Sequence, residues 1–93
     1  MTAALITGAG KRLGRAMALY LAGRGHDIAV HYASSAAEAE ESAQAVRALG
    51  RRAVTLQADL LDEAQVQPLV GRAIEGLGQP LTVLVNNASV FEY

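Results

Sequence analysis

Gly8, Gly10 and Gly14, with Lys11, Arg12 and Leu13 between the last two, are the residues of this sequence best suited to holding a ligand. Glycines let the backbone come close to a bound group, and a helix that starts beside them offers unpaired N–H groups and a partial positive charge. The group such a turn favours is a phosphate. The spacing matches no strict pattern. In Gly-x-Gly-x-x-Gly the third glycine would come one place before Gly14, and a P-loop would follow Gly10-Lys11 with Ser or Thr, where this chain has Arg12. Glycine turns between a strand and a helix are also common for structural reasons alone, so the rest of the chain must decide.

A second group of candidates follows the apolar run Ile28 to Tyr32. A site for an unphosphorylated ribose needs a carboxylate there, to accept hydrogen bonds from both hydroxyls and to repel a 2′-phosphate. Asp27 comes too early for that and Glu38 too late, and between them stand His31, Tyr32, Ala33, Ser34 and Ser35. Hydroxyls beside a helix start suit a phosphate instead. Lys11 and Arg12 could reach the same phosphate from the neighbouring turn, Arg12 through its planar fork. The expected cofactor is therefore NADP. Taken singly, Ser34 and Ser35 could be mere caps, and Lys11 and Arg12 mere solvated cations; their conjunction argues for the phosphate. Asp59 could accept from an adenine amino group with Leu60 packing nearby, or serve only as a turn residue. Asn86 and Asn87 carry amides able to tie loops together, a role that suits Asn86 at least as well as a ligand contact. His26 reads as a surface residue and His31 as a structural histidine rather than a catalyst. No catalytic residue and no metal ligands are assigned.

The elements that must position these residues alternate. Ala3 to Ile6 is a short apolar run suited to a strand buried on both faces. A helix follows, its apolar face predicted from Leu13, Met17 and Leu21 with Ala16 and Tyr20, and it ends at Gly23 and Gly25. Ile28 to Tyr32 is the second strand, and the next helix has Ser35 and Glu38 as a capping box, a face of Ala39, Ala43, Val46 and Leu49, and Gly50 as its stop. Ala53 to Gln57 is the third strand. The helix beyond carries Val66, Leu69, Val70, Ala73, Ile74 and Leu77, with Asp62 and Gln65 as caps and Pro68 predicting a kink or a late start. Leu81 to Val85 is the fourth strand. Such alternation implies an α/β fold, a doubly wound parallel sheet with helices on both faces and strand order 3-2-1-4. Thr7 to Gly14, His31 to Ser35, Ala58 to Leu60 and Asn86 to Phe91 should then converge at the carboxyl ends of the strands, where such sheets bind ligands.

Composition sets the outer limits. Ninety-three residues, 52% of them hydrophobic, make one small core, whereas a doubly wound domain runs to roughly 100 to 150 residues, so a truncated domain is expected, residues 1–93 being its N-terminal dinucleotide-binding part. A net charge of −1 without a dense Lys/Arg run argues against nucleic acid and an anionic membrane as partners, and favours a small-molecule substrate. There is no cysteine, and the two histidines lack companions for a metal site. No basic leader precedes the first strand and no apolar run reaches the length of a membrane span, so a cytoplasmic location is expected.

With these residues in view, the whole chain resembles the N-terminal part of a short-chain dehydrogenase/reductase. The resemblance rests on Thr7-Gly8-Ala9-Gly10-Lys11-Arg12-Leu13-Gly14, on Asp59-Leu60 after the third strand, and on Asn86-Asn87-Ala88-Ser89 after the fourth. Arg12 in place of the family's middle glycine, His31-Tyr32 followed by Ser34-Ser35, and Asn86 to Phe91 resemble the pteridine reductase branch. The resemblance implies a Rossmann-type fold and a cofactor site made of Gly8, Gly10, Lys11, Arg12, Leu13, Gly14, His31, Tyr32, Ser34, Ser35, Asp59, Leu60, Asn87, Ala88 and Ser89, with Ser89 and Phe91 beside the nicotinamide and pterin. It further implies hydride transfer from NADPH to a carbonyl or imine, with a tyrosine as proton donor and a lysine lowering its pKa. No Tyr here has a Lys four residues later, and Lys11 is the only lysine, so residues 1–93 alone are expected to be inactive. The full-length protein is expected to be a dimer or tetramer. Two rival readings are a non-catalytic NADP-binding sensor or regulatory module, and a methyltransferase of related fold, which would want an acidic residue at the end of the second strand.

Overall fold

The structure, a computed structural model, describes residues 2–8 and 12–86. β1 (Thr2–Thr7) leads to α1 (Arg12–Gly23), β2 (His26–Tyr32), α2 (Ala36–Ala48), β3 (Ala53–Gln57), a single-turn α3 (Glu63–Val66), α4 (Leu69–Leu77) and β4 (Val83–Asn86). The four strands form one parallel sheet in the order β3-β2-β1-β4. Register sets Ile6 against both Val30 and Val85, and Val30 against Thr55. β1 and β2 are inner strands and are almost wholly buried, which is why their sequences read as continuous apolar runs rather than alternating ones.

Two cores lie on opposite faces. One packs α1 and α2 on Ala4, Ile6, Ile28 and Val30; the other packs α4 on Ala3, Leu5, Ala29 and Leu56. Leu5, Ile6 and Ile28 are among the largest fully buried side chains, each contributing about 1.5–3 kcal/mol by leaving water.

The helix faces differ from the pattern-based expectation in an instructive way. On α1 the seam against the sheet is Gly14, Ala18 and Ala22, with Met17 and Leu21 only flanking it, while Leu13 and Tyr20 are 64% and 63% exposed. Small residues at every fourth place let the helix approach the sheet closely, so bulk is displaced to the flank. On α4 the face narrows as well: Leu69, Ala73 and Leu77 are buried, Val70 and Ile74 stay partly exposed, and Val66 falls on α3 and is partly exposed too. On α2 the face is Ala39, Ser42, Ala43 and Val46, and Leu49 is an exposed C-cap.

Pro68 acts as its chemistry requires. Without an N–H it cannot continue the turn begun at Glu63, so the segment breaks and Pro68 becomes the N-cap of α4. Asp62 caps α3 by accepting from the Ala64 amide at 3.0 Å, and Gln65 donates to the other Asp62 oxygen. The capping box at α2 is not formed: Ser35 holds the N-cap position with no side-chain cap hydrogen bond. The fourth strand starts at Val83 rather than Leu81, which turns into the second core, and Leu84 is 61% exposed.

Candidate functional site

All four strands run the same way, so the segments leaving Thr7, Tyr32, Gln57 and Asn86 emerge along one edge of the sheet. The chain reverses its order beside β1, which has β2 on one side and β4 on the other, and that is where a crevice opens in sheets of this kind.

Gly8 begins the glycine turn at φ +67, a left-handed backbone that costs glycine nothing. Its amide donates to His31 Nδ1 at 3.0 Å, and His31 Nε2 lies 2.9 Å from the Ala58 carbonyl oxygen. An amide only donates and a carbonyl only accepts, so Nδ1 is bare and Nε2 carries the proton. The ring is 1% exposed. Burial pushes its pKa below the usual 6.5; the Ala58 hydrogen bond opposes that shift and the charge of Arg72 adds to it. On the other side of β1 the Thr7 hydroxyl donates to Asn86 Oδ1 at 3.2 Å, with the Val85 carbonyl oxygen at 3.4 Å. The ends of β1, β2, β3 and β4 are thus tied together by side chains.

The segment from β2 to α2 presents Ser34 exposed and Ser35 partly buried, and Gln57 Nε2 donates to the Ala33 carbonyl oxygen at 2.9 Å, holding that loop beside β3. Arg12, the first residue of α1, is exposed. Arg15, one turn on, is engaged: it donates to Ser42 Oγ and Glu41 Oε1, each at 3.0 Å, fastening α1 to α2. Arg12, Arg15, Glu38 and Glu41, with Ala16 and Leu19, line a cavity of about 400 Å³ between the two helices. Glu41 pairs with Arg15 and Glu40 with Arg47, and Arg12 has no ion pair among the described residues.

Asp59 is exposed and shapes its own turn, its Oδ1 accepting from the Leu61 amide at 3.0 Å while its amide donates to Gln65 Oε1 at 2.8 Å. Leu60 packs on the second core and, with Leu5, Thr7, Leu84 and Asn86, borders a hollow of about 280 Å³. Tyr32 packs against the first core. Gly14 is buried on α1 and Leu13 faces outward. Gly10, Lys11, Asn87, Ala88, Ser89 and Phe91 lie outside the described residues. Sequence reasoning missed the Arg15–Ser42 fastening and the Gln57 tie, which no motif marks. His31 carried a signal, a polar ring ending an apolar strand, without a hint of its two partners. Among the described residues no cluster of three or more His, Cys, Asp or Glu could hold a metal, and no helix is long and apolar enough to cross a membrane.

Residues 2–92 match the family model for short chain dehydrogenase. The chain belongs to the short chain dehydrogenase family. Among relatives of this chain, an uncharacterised oxidoreductase of Methylorubrum extorquens is 42% identical over 90 residues, 97% of this chain and 36% of that protein. The short-chain dehydrogenase/reductase homolog YusS of Bacillus subtilis is 39% identical over 87 residues, covering 94% of this chain and 79% of YusS. The chain therefore spans about a third of one relative and most of the other. Among solved structures, the FolM alternative dihydrofolate reductase 1 of Brucella suis, in complex with NADP, superposes with a TM-score of 0.88 at 36% identity, over 98% of this chain and 37% of that one. The sheet order β3-β2-β1-β4 is thus the Rossmann-like arrangement of the family.

Proposed function

We propose that the chain is the NADPH-binding part of an oxidoreductase acting on a small carbonyl compound or a pterin-type imine. The observation that carries this reading is the end of β2: no carboxylate stands there, the Ser35 hydroxyl at the start of α2 caps nothing, and Arg12 is exposed at the start of α1. That arrangement suits a 2′-phosphate better than a bare ribose diol. Gly8 at positive φ and the start of α1 fit the diphosphate. Lys11, Asn87, Ala88 and Ser89 join this proposal on sequence grounds alone, as does Phe91 for the substrate. NADPH, when bound, would supply a hydride to the electrophilic carbon and leave as NADP⁺.

The chain's own residues bind and orient. No tyrosine in the sequence has a lysine four places on. Residues 1–93 alone should therefore bind cofactor without turning it over. The similarity to a NADP-bound dihydrofolate reductase supports both the cofactor and the pterin-type substrate. Titration of NADPH and NADH by fluorescence tests the reading: NADPH should bind at least about tenfold more tightly, the worth of one or two charge-assisted hydrogen bonds. Equal affinities would sink it.

A further inference from the structure

His31, on β2, is where two loops meet. Its ring takes the Gly8 amide on Nδ1 and gives its Nε2 proton to the Ala58 carbonyl, joining the start of the glycine turn to the first residue after β3. A side chain that merely filled space here could be apolar; this one spends both nitrogens on backbone groups. A second proton has one place to go, Nδ1, and it would point at the Gly8 N–H from 3.0 Å, donor against donor.

We propose that His31 is a positioning residue for the glycine turn, holding the Gly8 amide through a neutral Nδ1, and that protonation of Nδ1 in acid releases Gly8 and weakens dinucleotide binding. The identity of the ligand rests on the function proposed above; the clamp itself does not. The surroundings favour the neutral ring. Burial disfavours the charge, and Arg72 on α4, held by the Gln57 carbonyl oxygen at 2.8 Å, opposes it further. Asp59 follows Ala58 but is exposed, with Oδ1 taken by the Leu61 amide, and no carboxylate forms an ion pair with the ring among the described residues. Lys11, in the turn itself, lies outside them.

Nitrogen-15 NMR of the ligand-free protein tests the clamp. The Nε2–H tautomer, a coupling between the Gly8 amide and Nδ1, and a titration midpoint below 6.5 are expected. The opposite tautomer, no coupling, or a midpoint at or above 6.5 overturns the proposal whatever the protein binds. Binding is then followed from roughly pH 7.5 to 5, the range in which a histidine changes charge. Wild-type affinity should fall about tenfold for NADPH and for NADH, the second having no 2′-phosphate to titrate, as the glycine turn loses its tie to β2. His31→Asn keeps an acceptor near Nδ1 that cannot titrate, so its NADH affinity should stay flat. His31→Gln keeps only the donor toward Ala58 and should bind about fivefold more weakly than the wild type at neutral pH, the effect of one hydrogen bond. Parallel acid losses in the wild type and His31→Asn would overturn the gating. Absence of dinucleotide binding at every pH would overturn the proposed function and the binding half of this proposal, and the spectra would still decide the clamp.

Discussion

The two ends of the sheet are made by the same parallel strands and solve opposite problems. At the amino end Asp27 is 1% exposed and fully engaged: Oδ1 accepts from the Arg52 amide at 2.9 Å, Oδ2 from the Gln79 side chain at 2.5 Å, and the Arg51 guanidinium stands 3.8 Å away. Arg51 and Arg52 then donate to the Gly25 and Leu77 carbonyl oxygens, so β2, β3 and the end of α4 are tied together around one charge. At the carboxyl end the His31 imidazole is buried and neutral, while Ser34 and Arg12 are exposed and Ser35 makes no cap hydrogen bond. A buried carboxylate whose partners are all protein groups serves stability; a neutral staple beside unspent donors is what the ligand site proposed above requires.

The strongest test of that contrast is Asp27→Ala. It removes the acceptor of the Arg52 amide and of the partly buried Gln79 side chain and should cost about 3 kcal/mol in a urea melt, without changing NADPH affinity in the protein that remains folded. A loss below about 1 kcal/mol would mean that the amino end is not the structural anchor described. Next comes Ser34→Asp at the other end. It should weaken NADPH at least about tenfold, or ~1.4 kcal/mol, and improve NADH, with stability moved by no more than about 0.5 kcal/mol. Unchanged cofactor preference would remove the end of β2 from the site.

Acid offers a gentler test. The folded His31 has a pKa below the 6.5 of an unperturbed histidine, so between the two values the unfolded chain holds more protons. The stability contributed by neutral His31 is therefore complete above 6.5 and is lost as pH falls from there through the folded value. Melts of wild type and His31→Asn across that window should diverge. The smallest effect belongs to Arg15→Ala, whose bonds to Glu41 and Ser42 join α1 to α2 at a half-exposed position; about 0.5–1 kcal/mol is expected from thermal unfolding. A larger loss would show that the helix seam, and not only the sheet end, carries the site.

The strand order was legible in the chain itself, because a strand buried on both faces must be written as an uninterrupted apolar run and a parallel crossover permits one hand. The break at Pro68 was legible for an equally local reason, the missing N–H. The helix faces were not: apolar spacing marks Leu13 and Tyr20 as readily as Ala18 and Ala22, and only contact with the sheet selects the small ones. Nor could the sequence show that Ser35 leaves its cap unmade, or which nitrogen of His31 is bare. Those depend on Gly8, His31 and Ala58 meeting across 50 residues of chain, and a hydrogen bond between distant residues is decided by where the fold brings them, not by their spacing.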